Sequence, residues 1–371
     1  VLERLRAISK GAVVTANVAA VLLLIAAYVS TYVNPLTFPY AALFGIAYGP
    51  VLVVNLGFVL FWLLVKKRLA LISFIAILIG INHLNAYFKL LPTRSAGQTA
   101  GTPLKVVSHN VRLFGWYNWR TNQADRDGML AALAEAQADV YCFQEYFHNS
   151  TPAVFEVNEK VKKTLGTPHL HKVYGLTLHG DQHYGMAIAS KYPIVGSGSI
   201  AFPHERGNGC IYADVKVGPD TVRIYNAHVA SIRFSEKNYN FVEELQQNQK
   251  PSQAKEGLSI VRRMIRAWKR RAQHVALVVK HIDTSPHPVV LCGDLNDTPV
   301  SYTYRQFSTR LRDSFSAGGW GIGNTYRGTF PSFRIDYIFY DPLLGASQYT
   351  RYDESVSDHH PISVVLHLPG R

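Results

Sequence analysis

Two textures divide this chain. Up to about residue 91 almost every position is apolar, in three runs from about Gly11 to Val33, Phe38 to Val65 and Leu69 to Leu91. Each run meets or exceeds the ~20 residues a helix needs to cross the hydrocarbon core of a bilayer. A cleaved leader has one short apolar region, not three in succession. The pattern predicts a membrane anchor of three transmembrane helices over residues 1–91. Residues 92–103 are small, polar and rich in turn formers, which reads as a linker. From residue 104 to 371, short β-branched runs alternate with helical stretches and Gly/Asn/Asp turns. Strands are predicted at Leu104–Ser108, Val140–Gln144, Gly185–Ser190, Val222–Asn226, Val289–Cys292, Ile335–Tyr340 and Ile362–His367. Helices are predicted at about Arg126–Ala136 and Ser259–Asp283.

Composition explains itself once the anchor is set apart. The chain is 48% hydrophobic and 17% charged, and the apolar excess sits at the N-terminus. Of the formal charge of +13, residues 1–91 hold seven basic groups against one acid. Arg4, Arg6 and Lys10 precede the first run, Lys66-Lys67-Arg68 links the second to the third, and the Asn34–Thr37 link is uncharged. Basic loops favour the cytoplasmic side. Three crossings then place everything after Leu91 on the outer face of the inner (cytoplasmic) membrane, which is the periplasm in a Gram-negative cell. Asn17 and Asn55, inside the runs, read as interhelical hydrogen-bonding groups. Asn82, His83 and Asn85 read as groups at the outer interface. Cys142, Cys210 and Cys292 are too few and too apolar in setting for a disulfide framework, and read as buried thiols.

The chemistry lies where strands end. Val106-Val107-Ser108 runs into His109-Asn110, and Tyr141-Cys142-Phe143 into Gln144-Glu145. Ile224-Tyr225 runs into Asn226-Ala227-His228, and Leu291-Cys292 into Gly293-Asp294-Leu295-Asn296. Arg334-Ile335-Asp336 opens another apolar run, and Ser357-Asp358-His359-His360-Pro361 precedes the last. One polar strand end is an ordinary turn. Six together place carboxylates, amides and histidines where metal coordination or hydrogen bonding must compensate the charge. Oxygen ligands such as Glu145 and Asn110 suit Mg2+ or Mn2+, and no Cys/His spacing of a zinc site occurs. A cation, an activated water and help for the leaving oxygen are what phosphoester hydrolysis needs. Asp336 and His359 form a candidate carboxylate–imidazole pair.

These motifs occur in the order found in the endonuclease/exonuclease/phosphatase superfamily, which the chain resembles from about Leu104 to its end. Ser-His-Asn110, Phe-Gln-Glu145, Asn-Ala-His228, Gly-Asp294-Leu-Asn296, Arg-Ile-Asp336-Tyr and Ser-Asp358-His359-His-Pro carry the resemblance, together with the run from Gly185 to Pro193. It implies a four-layer α/β sandwich, with two mainly antiparallel sheets flanked by helices. It implies metal ligation by Glu145, with Asn110 beside it and Asp358 as a further contact. It also implies that Asp294 orients or deprotonates water and that Asn296 holds a phosphate oxygen. His228 would stabilise the transferring group or protonate the leaving group, and His359, oriented by Asp336, would contact phosphate. Where abasic-site endonucleases carry a second acid two residues after the first-motif Asn, this chain has Arg112, and His228 stands where they have Tyr. The pattern is nearer the deoxyribonuclease, sphingomyelinase and phosphatase branches.

Between His228 and Gly293, Phe234–Gln253 is polar with interspersed aromatics. Ile260, Val261, Met264, Ile265 and Trp268 then recur at helical spacing among Arg262, Arg263, Arg266, Lys269 and Arg270. This is an outer helix with a solvated basic face or, on the sharper reading, a helix at anionic headgroups. The expected function is phosphoester hydrolysis at the membrane surface, on a phospholipid or sphingolipid headgroup or a lipid-linked phosphate. A membrane-tethered nuclease acting on DNA or RNA is the first alternative, and a non-catalytic scaffold the second. His169, His171, His179 and His183 lack regular ligand spacing.

Overall fold

The computed structural model describes residues 2–90, 101–118, 123–203, 205–232, 237–238, 241, 244, 254–328, 333–353 and 356–369. The predicted linker falls outside these residues up to position 100, and so does most of the polar 234–253 segment.

The first apolar run is one helix, α1 (Leu2–Ser30). The second is split into α2 (Ala42–Ile46) and α3 (Tyr48–Val65), and the third into α4 (Lys67–Ile79) and α5 (Ile81–Tyr87). Among the described residues, two helices, at Gly11–Ser30 and Tyr48–Val65, are long and apolar enough to cross a membrane unaided. The third run is not one straight helix: α4 and α5 meet at a 69° bend, and only taken together are they a third candidate span. Gly80 sits at the break because a Cβ there would collide with the Tyr28 ring. The polar groups inside the runs join the helices, as their placement predicted. Asn17 accepts from Trp62 Nε1 at 2.9 Å, Ser73 Oγ donates to Asn55 Oδ1 at 2.9 Å, and Asn55 Nδ2 donates to Ala20 O at 3.0 Å. These contacts make α3 antiparallel to α1. Asn17 meets Ser73, Tyr28 donates to Ala76 O, and Thr31 meets His83, so α4 and α5 run parallel to α1.

The second texture folds as two six-stranded mixed sheets. Strands β1 (Thr102–Asn110), β2 (Val140–Asn149), β3 (His169–Leu178) and β4 (Gln182–Ser190) belong to the first sheet, and β5 (Ile194–Ala201), β6 (Gly209–Val217), β7 (Asp220–His228) and β8 (Val289–Asp294) to the second. Of the remainder, β9 (Arg312–Asp313) and β10 (Asp336–Tyr340) join the second sheet, β11 (Gly345–Arg351) and β12 (Ile362–Leu368) the first. The orders are β11-β12-β1-β2-β4-β3 and β5-β6-β7-β8-β10-β9. Each sheet has one parallel pair at its centre, β1/β2 or β7/β8, and antiparallel neighbours outside it. The central strands are buried on both faces, so β8 reads as an unbroken apolar run.

Residues of both sheets, among them Val106, Ile188, Ile224, Cys292 and Val364, form the core between them. The first sheet's outer face packs on α6 (Gln123–Ala134), α7 (Pro152–Phe155) and α8 (Asn158–Leu165). The second packs on α9 (Ala254–Ile282) and α10 (Tyr302–Ser308). Four layers result, and all three cysteines are free and buried. The N-terminal helices dock on the second sheet's helical side. Val300 packs with Leu24, Ala27 and Tyr28, Gly45 lies against the Val300 carbonyl, and Arg334 Nη2 donates to Ala86 O at 2.7 Å.

Candidate active site

Parallel strands bring their carboxyl ends to the same edge, so the two central pairs deliver four polar strand ends to one place. Asn110 is level with Gln144 across β1/β2, and His228 with Asp294 across β7/β8. Asp336, the first residue of antiparallel β10, pairs with Asp294. Gln144 Nε2 donates to Asn226 Oδ1 at 2.7 Å, and Asn226 Nδ2 to Phe143 O at 2.8 Å and Ala187 O at 3.0 Å. These two amides cross-link the sheets beneath the site. Ser357 Oγ donates to Asn110 O at 2.7 Å and accepts from His359 N at 3.1 Å, which fixes the last motif on β1.

The side chains above this floor form one connected group. Asn110 Nδ2 lies 3.3 Å from Glu145 Oε1 and 3.1 Å from Asp294 Oδ2. His228 Nε2 is 3.9 Å from Glu145 Oε1 and 3.6 Å from Asp294 Oδ2. His359 Nε2 is 3.8 Å from Asp294 Oδ2, while its Nδ1 is 2.9 Å from Asp336 Oδ2. Separations of 3.6–3.9 Å are too long for hydrogen bonds, so these nitrogens and oxygens surround a space rather than satisfy one another. Asp294 Oδ1 accepts from Asn296 N at 2.8 Å, and Asn296 Nδ2 donates to Val229 O at 3.2 Å. Asp358 lines the same cavity, with Arg112 Nε 3.8 Å from its carboxylate. All eight residues singled out in the sequence are therefore together. Two of them have left-handed backbone, Glu145 at φ 51° and Asn296 at φ 50°. Glu145 sits where the β2/β4 register slips between Phe143 and Tyr146, a bulge that re-aims one side chain of the strand.

Burial and charge set the protonation pattern. Burial alone would lower the His359 pKa, but Asp336 and Asp294 outweigh it and hold the imidazole up at about 10. His359 is then a cation at neutral pH, with Nδ1–H donated to Asp336 and Nε2–H facing the cavity. Burial, followed by the Asp336 charge, raises the Asp294 carboxyl above its usual range. Asp294, Asp336 and His359 can bring ligand atoms within 4.8 Å of one another. The Glu145 carboxylate fits a hard divalent cation, whereas Asn110 turns its Nδ2 to the acids while its Oδ1 accepts from Arg112 N at 3.1 Å. The acids facing the cavity also call for a positive partner.

Sequence reading missed several parts. Tyr326 packs edge-on against the His359 ring at 5.2 Å. Thr325 Oγ1 accepts from the Ile335 and Asp336 amides, each at 3.0 Å, and so fixes the start of β10. Both residues lie in a loop without periodicity. The largest omission is the apolar part of the lining. The cavity, about 410 Å³, is lined by Glu145, His228, Asp294, Asn296, Asp358 and His359. Its lining also takes in the apolar Ile46, Ile232, Ile260, Met264, Trp268 and Phe333, beside Arg271 and Asp297. The helical spacing of Ile260, Met264 and Trp268 was visible, but not that it points into the site. His171 bonds Gly198 O and His183 bonds Thr177, and neither lines this cavity.

A family model described as endonuclease/exonuclease/phosphatase matches residues 107–359. The chain belongs to this family. It is accordingly a metal-dependent hydrolase of phosphoester bonds. A second model, described only as a domain of unknown function, matches residues 10–87. No curated protein matches the chain. Among solved structures, an endonuclease/exonuclease/phosphatase from Beutenbergia cavernae is similar at 19% identity and TM-score 0.51, over 72% of each chain. A family protein from Leptotrichia buccalis is similar at 17% identity and TM-score 0.49, covering 71% of this chain and 100% of that one. Sphingomyelinase C from Streptomyces griseocarneus is similar at 18% identity and TM-score 0.45, over 71% and 99%.

Proposed function

We propose that this family member is a membrane-anchored phosphoesterase that cleaves a lipid headgroup or a lipid-linked phosphate. The observation that carries this reading is a cavity lined both by the polar site residues and by a set of large apolar side chains. A phosphoester on a hydrocarbon chain has the same two halves. Ile46 adds to the argument, because it belongs to α2, between the two apolar helices. The anchor thus supplies part of the substrate wall, which a nuclease has no evident use for.

On this reading Glu145, with Asp358 and Asn110 as further contacts, would hold Mg2+ or Mn2+, which would supply charge neutralisation for the phosphoester. Asp294, held by the Asn296 amide, positions water and takes its proton. Its raised pKa suits a group that must accept one. His359 donates Nε2–H to a phosphate oxygen, with Asp336 fixing its tautomer. On this reading His228, 3.6 Å from Asp294 Oδ2, protonates the leaving oxygen, and Asn296 holds another phosphate oxygen.

The same reading favours an extracytoplasmic active site. The catalytic domain meets the anchor at Tyr32, Gly45 and Ala86, the helix ends opposite the basic Lys66–Arg68 turn. The bent α4–α5 pair then serves as the third crossing.

The test is phosphoester release by the full chain in detergent with Mg2+, from phospholipid and sphingolipid vesicles and from DNA, with Glu145→Ala as control. Lipid turnover by the wild type alone is expected. DNA cleavage without lipid turnover would overturn the lipid reading and favour the nuclease.

A further inference from the structure

A second cavity, about 360 Å³, lies at the seam between the anchor and the catalytic domain. Its lining comes from three elements: Thr31 and Tyr32 just after α1, Asn82 and His83 of α5, and Arg305, Ser308 and Thr309 in and after α10. It shares no lining residue with the active-site cavity, and Ala86, Pro299 and Tyr304 complete its lining.

Its charge is unbalanced. No acid lines it, and Arg305 has no carboxylate partner among the described residues. The guanidinium carbon lies over the Tyr32 ring, 3.9 Å from its centroid. A contact of this kind through the guanidinium carbon leaves N–H groups free to donate. Neighbouring Arg310 is different, since it makes two hydrogen bonds to Asp283 at 2.8 and 3.2 Å. The Asn82 amide adds a neutral donor to the same lining, while the Ser308 and Thr309 hydroxyls donate to the Arg305 and Gln306 carbonyls. A guanidinium with free N–H edges and a neutral amide beside it is the chemistry of a phosphate site.

Position selects the source of that phosphate. The cavity opens where the first apolar helix ends, and the surface beside it is hydrocarbon-facing in character. Val29 is 52% exposed, Tyr32 60% and Ile79 71%. A basic pocket at the end of membrane helices is suited to an anionic headgroup whose chains lie along those helices. We propose that this seam binds the phosphate of an anionic phospholipid, with Arg305 as its counter-charge, separately from the substrate. The bound lipid would touch α1, α5 and α10 at once and so fasten the catalytic domain to the anchor. The inference rests on the membrane reading given above.

The experiment is native mass spectrometry of the detergent-extracted full chain, titrated with phosphatidylglycerol, phosphatidylcholine and inorganic phosphate. Phosphatidylglycerol should bind more tightly than either of the others. Arg305→Gln should weaken it about tenfold, the loss of one charge-assisted contact, and Arg305→Lys should restore part of the loss. Arg310→Gln should bind as the wild type does, and all three variants should keep turnover of a water-soluble aryl phosphodiester. Undiminished phosphatidylglycerol binding by Arg305→Gln would overturn the site. Equal binding of inorganic phosphate would overturn the lipid as its occupant. Failure of the membrane reading shows separately, as a chain recovered in the soluble fraction without detergent.

Discussion

At the scale of single residues, His359 and Asp336 divide one task between charge and geometry. Asp336→Asn keeps the side chain's shape but removes the charge that holds His359 protonated. Turnover should fall about 10²- to 10⁴-fold, with KM little changed, as steady-state kinetics on any accepted substrate would show. A comparable KM rise with unchanged turnover would mean that the pair only binds. His109 is the opposite case. Burial lowers its pKa to about 3, and its Nε2 lies 3.2 Å from His359 O. In the unfolded chain an imidazole takes a proton near pH 6.5, so the unfolded state binds protons first as pH falls. Stability should therefore drop below pH 6.5 by about 1.4 kcal/mol per pH unit, levelling near pH 3. Thermal unfolding across this range should show a shallower acid limb for His109→Gln, and an unchanged limb would assign the acid sensitivity elsewhere. All eight residues that the fold gathers here could be picked out in the sequence, because a carboxylate or imidazole closing a β-branched run is conspicuous. The left-handed backbone of Glu145 and Asn296 could not, since neither position is a glycine.

Among the elements, legibility followed hydrophobic pattern. Strands β1, β2, β7, β8 and β12 are buried apolar runs and were located to within a few residues. Strand β5 was not, because Ile194–Ala201 contains Gly196 and Gly198, which read as turn formers; its residues alternate in exposure at the sheet edge. In β3, His169, His171 and Lys172 hide the strand in the same way. The third apolar run was read as one helix because Gly80 looks harmless in an apolar sequence. Its role depends on the approach of Tyr28 from a helix far away in the chain. The helix order makes a prediction of its own. Single cysteines placed at Lys67 and at exposed Leu343 should react from opposite sides of sealed vesicles, because the basic turn and the catalytic domain lie at opposite ends of the anchor. Labelling of both from one side would contradict a third crossing by α4 and α5.

For the whole molecule, function depends on parts that the chain keeps apart. Helix α9 packs Val275, Val278 and Ile282 on the second sheet, while its first half extends Ile260, Met264 and Trp268 over the site. Ile46 arrives from the anchor, more than two hundred residues earlier in the chain, to complete the same lining. No local pattern announces such a surface, since each residue reads as ordinary core or membrane helix. The polar half of the cavity was therefore visible in the sequence and the apolar half was not. The central claim is that one cavity handles both halves of a lipid phosphoester. It is tested most directly by kcat/KM for a long-chain lipid and for its chainless headgroup analogue, in the wild type and in Trp268→Ala. Removing the indole should lower the long-chain value by about tenfold and leave the analogue unaffected. An equal loss on both substrates, or no preference for the long chain in the wild type, would contradict it.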